Sequence, residues 1–313
     1  MSPGATNLYL FGAIPLLVLS GLLAWALPGD AAATLITLHR VVASSLIVVL
    51  AWKLGIARRS VARRVRAGQA SSLLVGSLTG VALLVVLGIG LAWTIGLISF
   101  DRPFAYSLLN IHVFIGVALV PLVVAHAAPR RVRVPPGRRE WLRAGAVLAG
   151  GVVLAAALDR VDATRRATGS RVATGDLPIT SWTFDSVPEL DPAAWQLDIT
   201  GPAARSMSLA QLLAMPRVEQ DVTLDCTSGW ASTRRWTGAS LAQIAGATER
   251  RVRVTSVTGH TATFAPDEVA SLVLATHLGG VPLTSEHGAP ARLVAPTHRG
   301  FMWIKWVARV EVL

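Results

Sequence analysis

Cys226 is the only cysteine in the 313-residue chain and stands in Thr223-Leu-Asp-Cys-Thr-Ser-Gly-Trp230. A lone thiol forms no internal disulfide, so it is either an inert buried side chain or a group kept for its chemistry. Three histidines, His39, His112 and His126, stand in long apolar stretches. An imidazole inside such a stretch marks a functional site by default, because leaving it unsatisfied in an apolar medium is costly.

The stretches that position these histidines set the architecture. Hydrophobic residues make up 52% of the chain and charged residues 15%, too apolar a balance for a purely soluble protein. Five segments, near Leu8–Leu27, Leu35–Ile56, Leu73–Phe100, Tyr106–Ala128 and Trp141–Leu158, are long enough to cross a bilayer, since about 20 residues span roughly 30 Å. The expectation is an all-α transmembrane bundle of five spans. The loop after the second span holds Arg58, Arg59, Arg63, Arg64 and Arg66, and the loop after the fourth holds Arg130, Arg131, Arg133, Arg138 and Arg139. The loops around Asp30 and Asp101-Arg102 are nearly free of positive charge. By the positive-inside bias the Arg-rich loops are cytoplasmic, which makes this a multi-pass protein of the cytoplasmic membrane with its N-terminus inside and everything after Leu158 outside. Residues 1–178 carry 18 Lys/Arg against 6 Asp/Glu, and residues 179–313 carry 11 against 12. The basic excess therefore belongs to the membrane half, which suits a lipid bilayer as partner and argues against nucleic-acid binding. Gly137-Arg-Arg-Glu-Trp-Leu-Arg143 resembles the twin-arginine export signal, with Trp141 where Phe is commoner. It reads equally as a cytoplasmic Arg-rich loop; as an export signal it implies a cofactor inserted before translocation.

His39 opens the second span and His112 the fourth, both from the external side, so the two imidazoles lie at similar depth on different helices. That arrangement can clamp one haem iron from both sides. Arg40 is then placed to pair with a haem propionate, and glycines at 76, 80, 88, 90, 96 and 116 let a flat macrocycle or neighbouring helices approach closely. His126 follows His112 by fourteen residues, about 21 Å along and about 40° round an ideal helix. Two histidines so spaced resemble the membrane b-type cytochromes, where each serves a different haem. The second span offers Ala51-Trp-Lys-Leu54 at that depth and no histidine, so one external haem b is expected and His126 is a candidate for a second haem or a quinone site. The alternative is histidines that are merely interfacial or hydrogen-bonded.

Residues 1–159 thus form the helical, haem-binding domain. Residues 160–178, with Arg160, Arg165, Arg166 and Arg171 among small polar residues, show no apolar period and read as a linker. Residues 179–313 are enough for one core of ordinary size. Trp195–Ile199, Val218–Leu224, Arg251–Val257 and Phe301–Leu313 read as strands, and Ser208–Ala214, Ala239–Ala245 and a start at Pro266 as helices. The second domain is therefore expected to be α+β.

Cys226 with Gly229-Trp230, then Arg235-Trp-Thr-Gly238, Leu241, Glu286-His-Gly-Ala-Pro-Ala-Arg-Leu-Val-Ala-Pro296 and Gly300-Phe-Met-Trp-Ile-Lys-Trp306 resemble the molybdopterin-binding domain of the sulfite-oxidase superfamily, in the style of the bacterial methionine-sulfoxide reductase catalytic subunits. The resemblance implies that the Cys226 thiolate ligates molybdenum, soft sulfur suiting this metal, and that Trp230, His287, Arg292, Gly300 and Lys305 hold Mo-molybdopterin. Arg234 and Arg235 are catalytic candidates that could draw a small oxo-substrate to the metal. Ser181-Trp182 stands where these relatives often have an Asn against the pterin. The implied protein is a molybdenum oxidoreductase in which oxygen-atom transfer outside the membrane is coupled through the haem to a quinone or quinol, with reduction of an S-oxide or N-oxide favoured. The alternatives are a sulfite-type oxidase running in the opposite direction and a non-enzymatic haem carrier with a degenerate external domain. Homo-oligomer formation is left open. A reporter fused after Leu313 is expected to behave as extracytoplasmic and one fused after Arg66 as cytoplasmic; a C-terminal reporter found inside rules out the five-span topology.

Overall fold

The computed structural model describes residues 1–68, 73–100, 107–127, 137–162, 164–180, 186–202, 204–246 and 249–313. Arg130, Arg131, Arg133, Asp101-Arg102, Tyr106 and Ser181-Trp182, all used above, lie outside the described residues. The chain divides into two compact units, Met1–Ala24 with Asp30–Arg171, and Trp25–Gly29 with Val172–Leu313.

The first unit contains α1 (Pro3–Ala26), α2 (Gly29–Arg66), α3 (Leu74–Thr94), α4 (Leu108–Ala127) and α5 (Arg138–Asp159). All five are long and apolar enough to cross a membrane. Ala13, Val42, Leu46, Leu83, Val86 and Leu119 form its core, so α1 to α4 each contribute an inward stripe, while Leu19, Leu74, Val81 and Val153 face outward. Gly151 of α5 packs on α2 so closely that a Cβ there would meet Val41 O at 2.8 Å, the small-residue contact by which helices approach without a hydrophobic drive.

Several boundaries differ from the sequence reading. Helix α2 does not end at Ile56 but continues through Arg66, because the Arg-rich segment contains no Gly or Pro to stop it and straight-chain arginines are good helix formers. Helix α3 ends at Thr94 rather than near Phe100, where Gly96 takes φ +84° and supplies the left-handed residue that commonly closes a helix. Residues 160–171 are not a free linker. They group with the helices, and Thr168 and Ser170 within them are buried.

In the second unit the strands are, in chain order, β1 (Arg171–Val172), β2 (Gln196–Thr200), β3 (Arg205–Ser208), β4 (Arg217–Asp225), β5 (Trp230–Ser240), β6 (Val252–Ser256), β7 (Thr261–Phe264), β8 (Val273–Leu278), β9 (Val281–Pro282), β10 (Arg292–Val294) and β11 (Val307–Val312). One sheet runs β1-β5-β8-β10, with β4 added on β5 and β9 on β8; the other runs β3-β2-β11-β6-β7. Strand β2 alternates strictly, with Leu197 and Ile199 inward, as a strand with one wet face must. Strand β10 is buried at every position, as expected where both faces are covered.

The short helices α6 (Leu209–Leu213), α7 (Leu241–Ala245) and α8 (Pro266–Val269) fall where their start signals stand. Ser208 caps α6 in a reciprocal box with Gln211, an arrangement worth about 1 kcal/mol. Helix α7 begins two residues later than the sequence suggests, because Ala239 and Ser240 remain paired with Leu274 and Val273 of β8. The terminal strand begins at Val307 rather than Phe301, since Gly300–Met302 makes a single 3-10 turn.

The β5 to β8 ladder shifts register between Thr237 and Gly238. A Cβ at Gly238 would fall 2.0 Å from Leu274 O and 2.5 Å from Ala275 Cα, so only glycine fits against that backbone. Gly238→Ala should destabilise this unit by about 3 kcal/mol, at the upper end of overpacking costs, read as a lowered midpoint in thermal or urea unfolding; an unchanged midpoint contradicts the packing.

Candidate functional site

Strand β4 delivers Cys226 one residue past its end. The β4 to β5 connection is short: Cys226 N–H donates to Trp230 O at 2.8 Å, Gly229 N–H donates to Cys226 O at 3.1 Å, and Gly229 takes φ +102° to make the return. Beneath the thiol, Arg299 donates to Asp225 Oδ1 at 3.2 Å and to Cys226 O at 3.3 Å, with its side chain 5% exposed. Next to it, Gly300 passes so close that a Cβ would lie 3.0 Å from Cys226 Cα. The cysteine is partly exposed. Its Sγ lies 3.1 Å from Ser228 Oγ and 3.4 Å from Thr180 Oγ1, two hydroxyls able to donate to a thiolate.

The cations expected to hold the cofactor are arranged unequally. Arg292 is 4% exposed, its guanidinium over the rings of Trp236 at 5.3 Å and Trp303 at 5.7 Å. One terminal nitrogen donates to His287 O at 3.1 Å, while Nε has no partner among the described residues. Burial lowers the Arg292 pKa to about 10, with the charge of Cys226 acting in the opposite direction. His287 and Lys305 serve the chain instead. His287 donates from Nε2 to Leu177 O at 3.0 Å, with Nδ1 3.0 Å from Thr284 Oγ1. Lys305 donates to Thr180 O and Glu286 O, each at 2.6 Å. Together they hold the segment 177–180, which brings the Thr180 hydroxyl to the sulfur. Trp230 is buried, and its Nε1 has no partner among the described residues.

Arg234 and Arg235 are strand residues. They lie within β5, opposite Val222 and Asp221 of β4, at least four residues or about 14 Å of strand away from Cys226. Arg235 is exposed and paired with Asp221 at 2.8 Å, and Arg234 donates to Gly175 O. A neighbouring carboxylate and a backbone carbonyl take up these guanidinium groups, so the structure does not bring them to the thiol. The sequence reading missed Arg299, Ser228 and Thr180. For Arg299 the available signal was a cation next to Gly300 and an acid, Asp225, next to Cys226.

No group of three or more His, Cys, Asp and Glu side chains is arranged to hold a metal among the described residues. A thiol faced by two hydroxyls, a buried guanidinium with a spare donor and a glycine under the sulfur-bearing residue suit an anionic cofactor that carries its own metal.

Residues 184–313 match the family model described as oxidoreductase molybdopterin binding domain. This segment is a molybdopterin-binding oxidoreductase domain. Similar curated proteins include mitochondrial sulfite oxidase of Rattus norvegicus, 31% identical over 165 residues, covering 40% of this chain and 30% of that protein. The Homo sapiens sulfite oxidase is 30% identical over the same shares. The protein-methionine-sulfoxide reductase catalytic subunit MsrP of Gluconobacter oxydans (strain 621H) is 29% identical over 149 residues, 39% of this chain and 48% of that protein. The chain therefore spans under a third of the sulfite oxidases and about half of the reductase. Among solved structures, the sulfane dehydrogenase SoxCD from Paracoccus pantotrophus aligns with 40% of this chain and 40% of its own at 23% identity and a TM-score of 0.38.

In the helical unit, His39 and His112 face one another with ring centres 6.1 Å apart and planes inclined by 59°. His39 Nδ1–H donates to Leu17 O at 3.0 Å and His112 Nδ1–H to Val86 O at 2.9 Å. Carbonyls only accept, so both rings carry the proton on Nδ1 and present Nε2 as a lone-pair donor. Each histidine packs against a glycine of a neighbouring helix: His39 against Gly21, His112 against Gly90 and His126 against Gly76. His126 is near the end of α4, fourteen residues from the facing pair. Arg40, expected at a propionate, pairs with Asp159.

Burial is the largest influence on His287 and lowers its pKa, with the charges of Arg292 and Lys305 adding to the effect. A histidine depressed on folding costs nothing well above its unfolded value of about 6.5 and destabilises progressively as the pH falls below it. The stability advantage of wild type over His287→Gln should therefore shrink between pH 7.5 and 5 in thermal unfolding; a pH-independent difference contradicts the assignment.

Proposed function

We propose that the protein is a membrane-anchored molybdenum oxidoreductase in which oxygen-atom transfer at Cys226 is coupled through a b-type haem to the quinone pool. Reduction of an S-oxide or N-oxide by quinol-derived electrons is the favoured direction. The observation that carries the catalytic half is the Cys226 setting, a single thiol between two hydroxyls, in a segment that matches a molybdopterin-binding oxidoreductase domain. Bound Mo-molybdopterin supplies the metal, its remaining sulfur ligands and the two-electron redox chemistry. Cys226 would be the protein's ligand to the metal. Ser228 and Thr180 donate hydrogen bonds to its sulfur and fix its orientation. Arg292 balances negative charge in the site, and Gly300 leaves room beside the cysteine backbone. Lys305 and His287 act one step back, by tying down the segment 177–180 that carries Thr180.

The haem half is supported by the facing imidazoles. A metal bonded at about 2 Å to one nitrogen of each ring would separate the ring centres by roughly 6 Å, close to the 6.1 Å between His39 and His112. Each Nδ1–H is held by a backbone carbonyl, the second bond that orients metal-binding histidines. Five apolar helices support the membrane location, and His126 remains the candidate for a quinone or a second haem. The second reading, oxidation of sulfite in the opposite direction, draws its support from the sulfite oxidases among the relatives.

The two directions are separated by adding sulfite to oxidised protein, or sulfoxides and N-oxides to dithionite-reduced protein, and following the haem bands. Reoxidation of reduced haem by a sulfoxide or N-oxide supports the reductase; reduction of oxidised haem by sulfite alone reverses it. Cys226→Ser should lower turnover by at least about a hundredfold, since groups that merely orient metal ligands already cost 10–100-fold, with the haem spectrum intact. His39→Ala or His112→Ala should abolish the low-spin haem signal, and His126→Ala should leave most of it.

A further inference from the structure

Residues 160–171 fold back over the end of the helical unit at which α3 and α5 finish. Gly169 lies against Ile36 of α2, where a Cβ would be 3.5 Å from Ile36 Cγ2. Its carbonyl accepts from Trp93 Nε1 of α3 at 3.0 Å. Ile36 precedes His39 by three residues, and Trp93 follows Gly90, the glycine under His112, by three. At 1.5 Å per residue the segment therefore crosses about 4.5 Å beyond the layer of the two facing imidazoles.

It brings charge to that layer. The Arg165 side chain is 3% exposed and that of Arg171 13%, and they join Arg40 at 19%. Asp159 accepts from Arg40 and from Arg165, and Asp162 from Arg171. Arg171 also reaches Trp93 O and stacks over the Trp93 ring at 5.2 Å. Among the described residues these three guanidinium groups share two carboxylates, which leaves one positive charge in excess. Burial and the charge of Arg171 both act against protonation of Arg165. The Nε atoms of Arg40, Arg165 and Arg171 are all buried and have no partner among the described residues. Charged donors taken out of water without an acceptor are unfavourable. Three such donors, two of them on guanidinium groups that share Asp159, point to an anion.

We infer that Arg165 and Arg171, with Arg40, bind the carboxylate edge of the macrocycle held between His39 and His112, so that the segment after α5 is a wall of the haem site. The inference rests on the haem reading above. The anion could instead be a lipid phosphate, and a haem whose carboxylates are masked tells the two apart.

Haem-free full-length protein in detergent is titrated with haem and with haem dimethyl ester, following the low-spin spectrum. Arg165→Gln and Arg171→Gln should each weaken haem binding by roughly tenfold or more, the range of a charge-assisted hydrogen bond, and leave ester binding unchanged. Arg165→Lys should recover part of the loss. Arg160→Gln, exposed on the same segment, should alter neither. Unchanged haem affinity in both variants overturns the inference and assigns the arginines to another anion. Equal losses for haem and ester also overturn it, because the arginines then serve folding alone. If wild type takes up neither haem nor ester, the haem reading itself fails and this inference with it.

Discussion

The buried ion pair between Arg299 and Asp225 is the constraint on which the catalytic unit depends. The two side chains are 5% and 10% exposed, and removing one partner of such a pair costs about 3–5 kcal/mol because the other charge is left stranded. The pair does more than neutralise charge. Asp225 is the last residue of β4, and Arg299 also binds Cys226 O, so the bond locks the end of a sheet strand to a loop far along the chain. With that loop fixed, Gly300 sits against the Cys226 backbone, and the tight return to Trp230 orients the sulfur toward the Ser228 and Thr180 hydroxyls.

In the helical unit the corresponding constraint is a repeated contact. Gly90 and Gly76 on α3 stand fourteen residues apart, as do His112 and His126 on α4, and each glycine meets one histidine. Two antiparallel helices in constant register produce that pairing. A Cβ at Gly76 would stand 3.0 Å from the His126 ring, so the glycines decide how closely the rings nest against α3. The upper layer is completed by His39 from α2. Fourteen residues below His39 stands Lys53, which donates to Asn7 Oδ1 of α1 at 2.5 Å, and the two layers therefore differ in chemistry although they share one geometry.

Much of this organisation was legible in the residues. Runs of apolar residues fix helix number because a span length is a property of the segment itself. The alternation in β2 and β6 and the Ser208 to Gln211 capping pair are equally local, and the structure has them where the pattern stands. Helix ends were harder to read, as the continuation of α2 to Arg66 shows. A change from apolar to charged residues marks where a bilayer would end, whereas a helix stops only where backbone geometry or capping makes it stop.

The sequence by itself determined the types of the reactive groups and their spacing along the chain: one thiol followed by Gly229-Trp230, two histidines fourteen residues apart, and arginines concentrated in the first half. The tertiary structure decided which cation serves which acceptor. His287 and Lys305 meet backbone carbonyls of Leu177, Thr180 and Glu286, Arg235 meets Asp221, and Arg165 and Arg171, read as linker residues, are buried against the helices. The physical reason is that a long charged side chain binds whatever unpaired acceptor the fold leaves within reach, and those acceptors come from segments up to about 125 residues away, as Lys305 and Thr180 show. Local pattern sets where a strand or helix runs; it carries no information on which carbonyls remain unpaired once the sheets have closed.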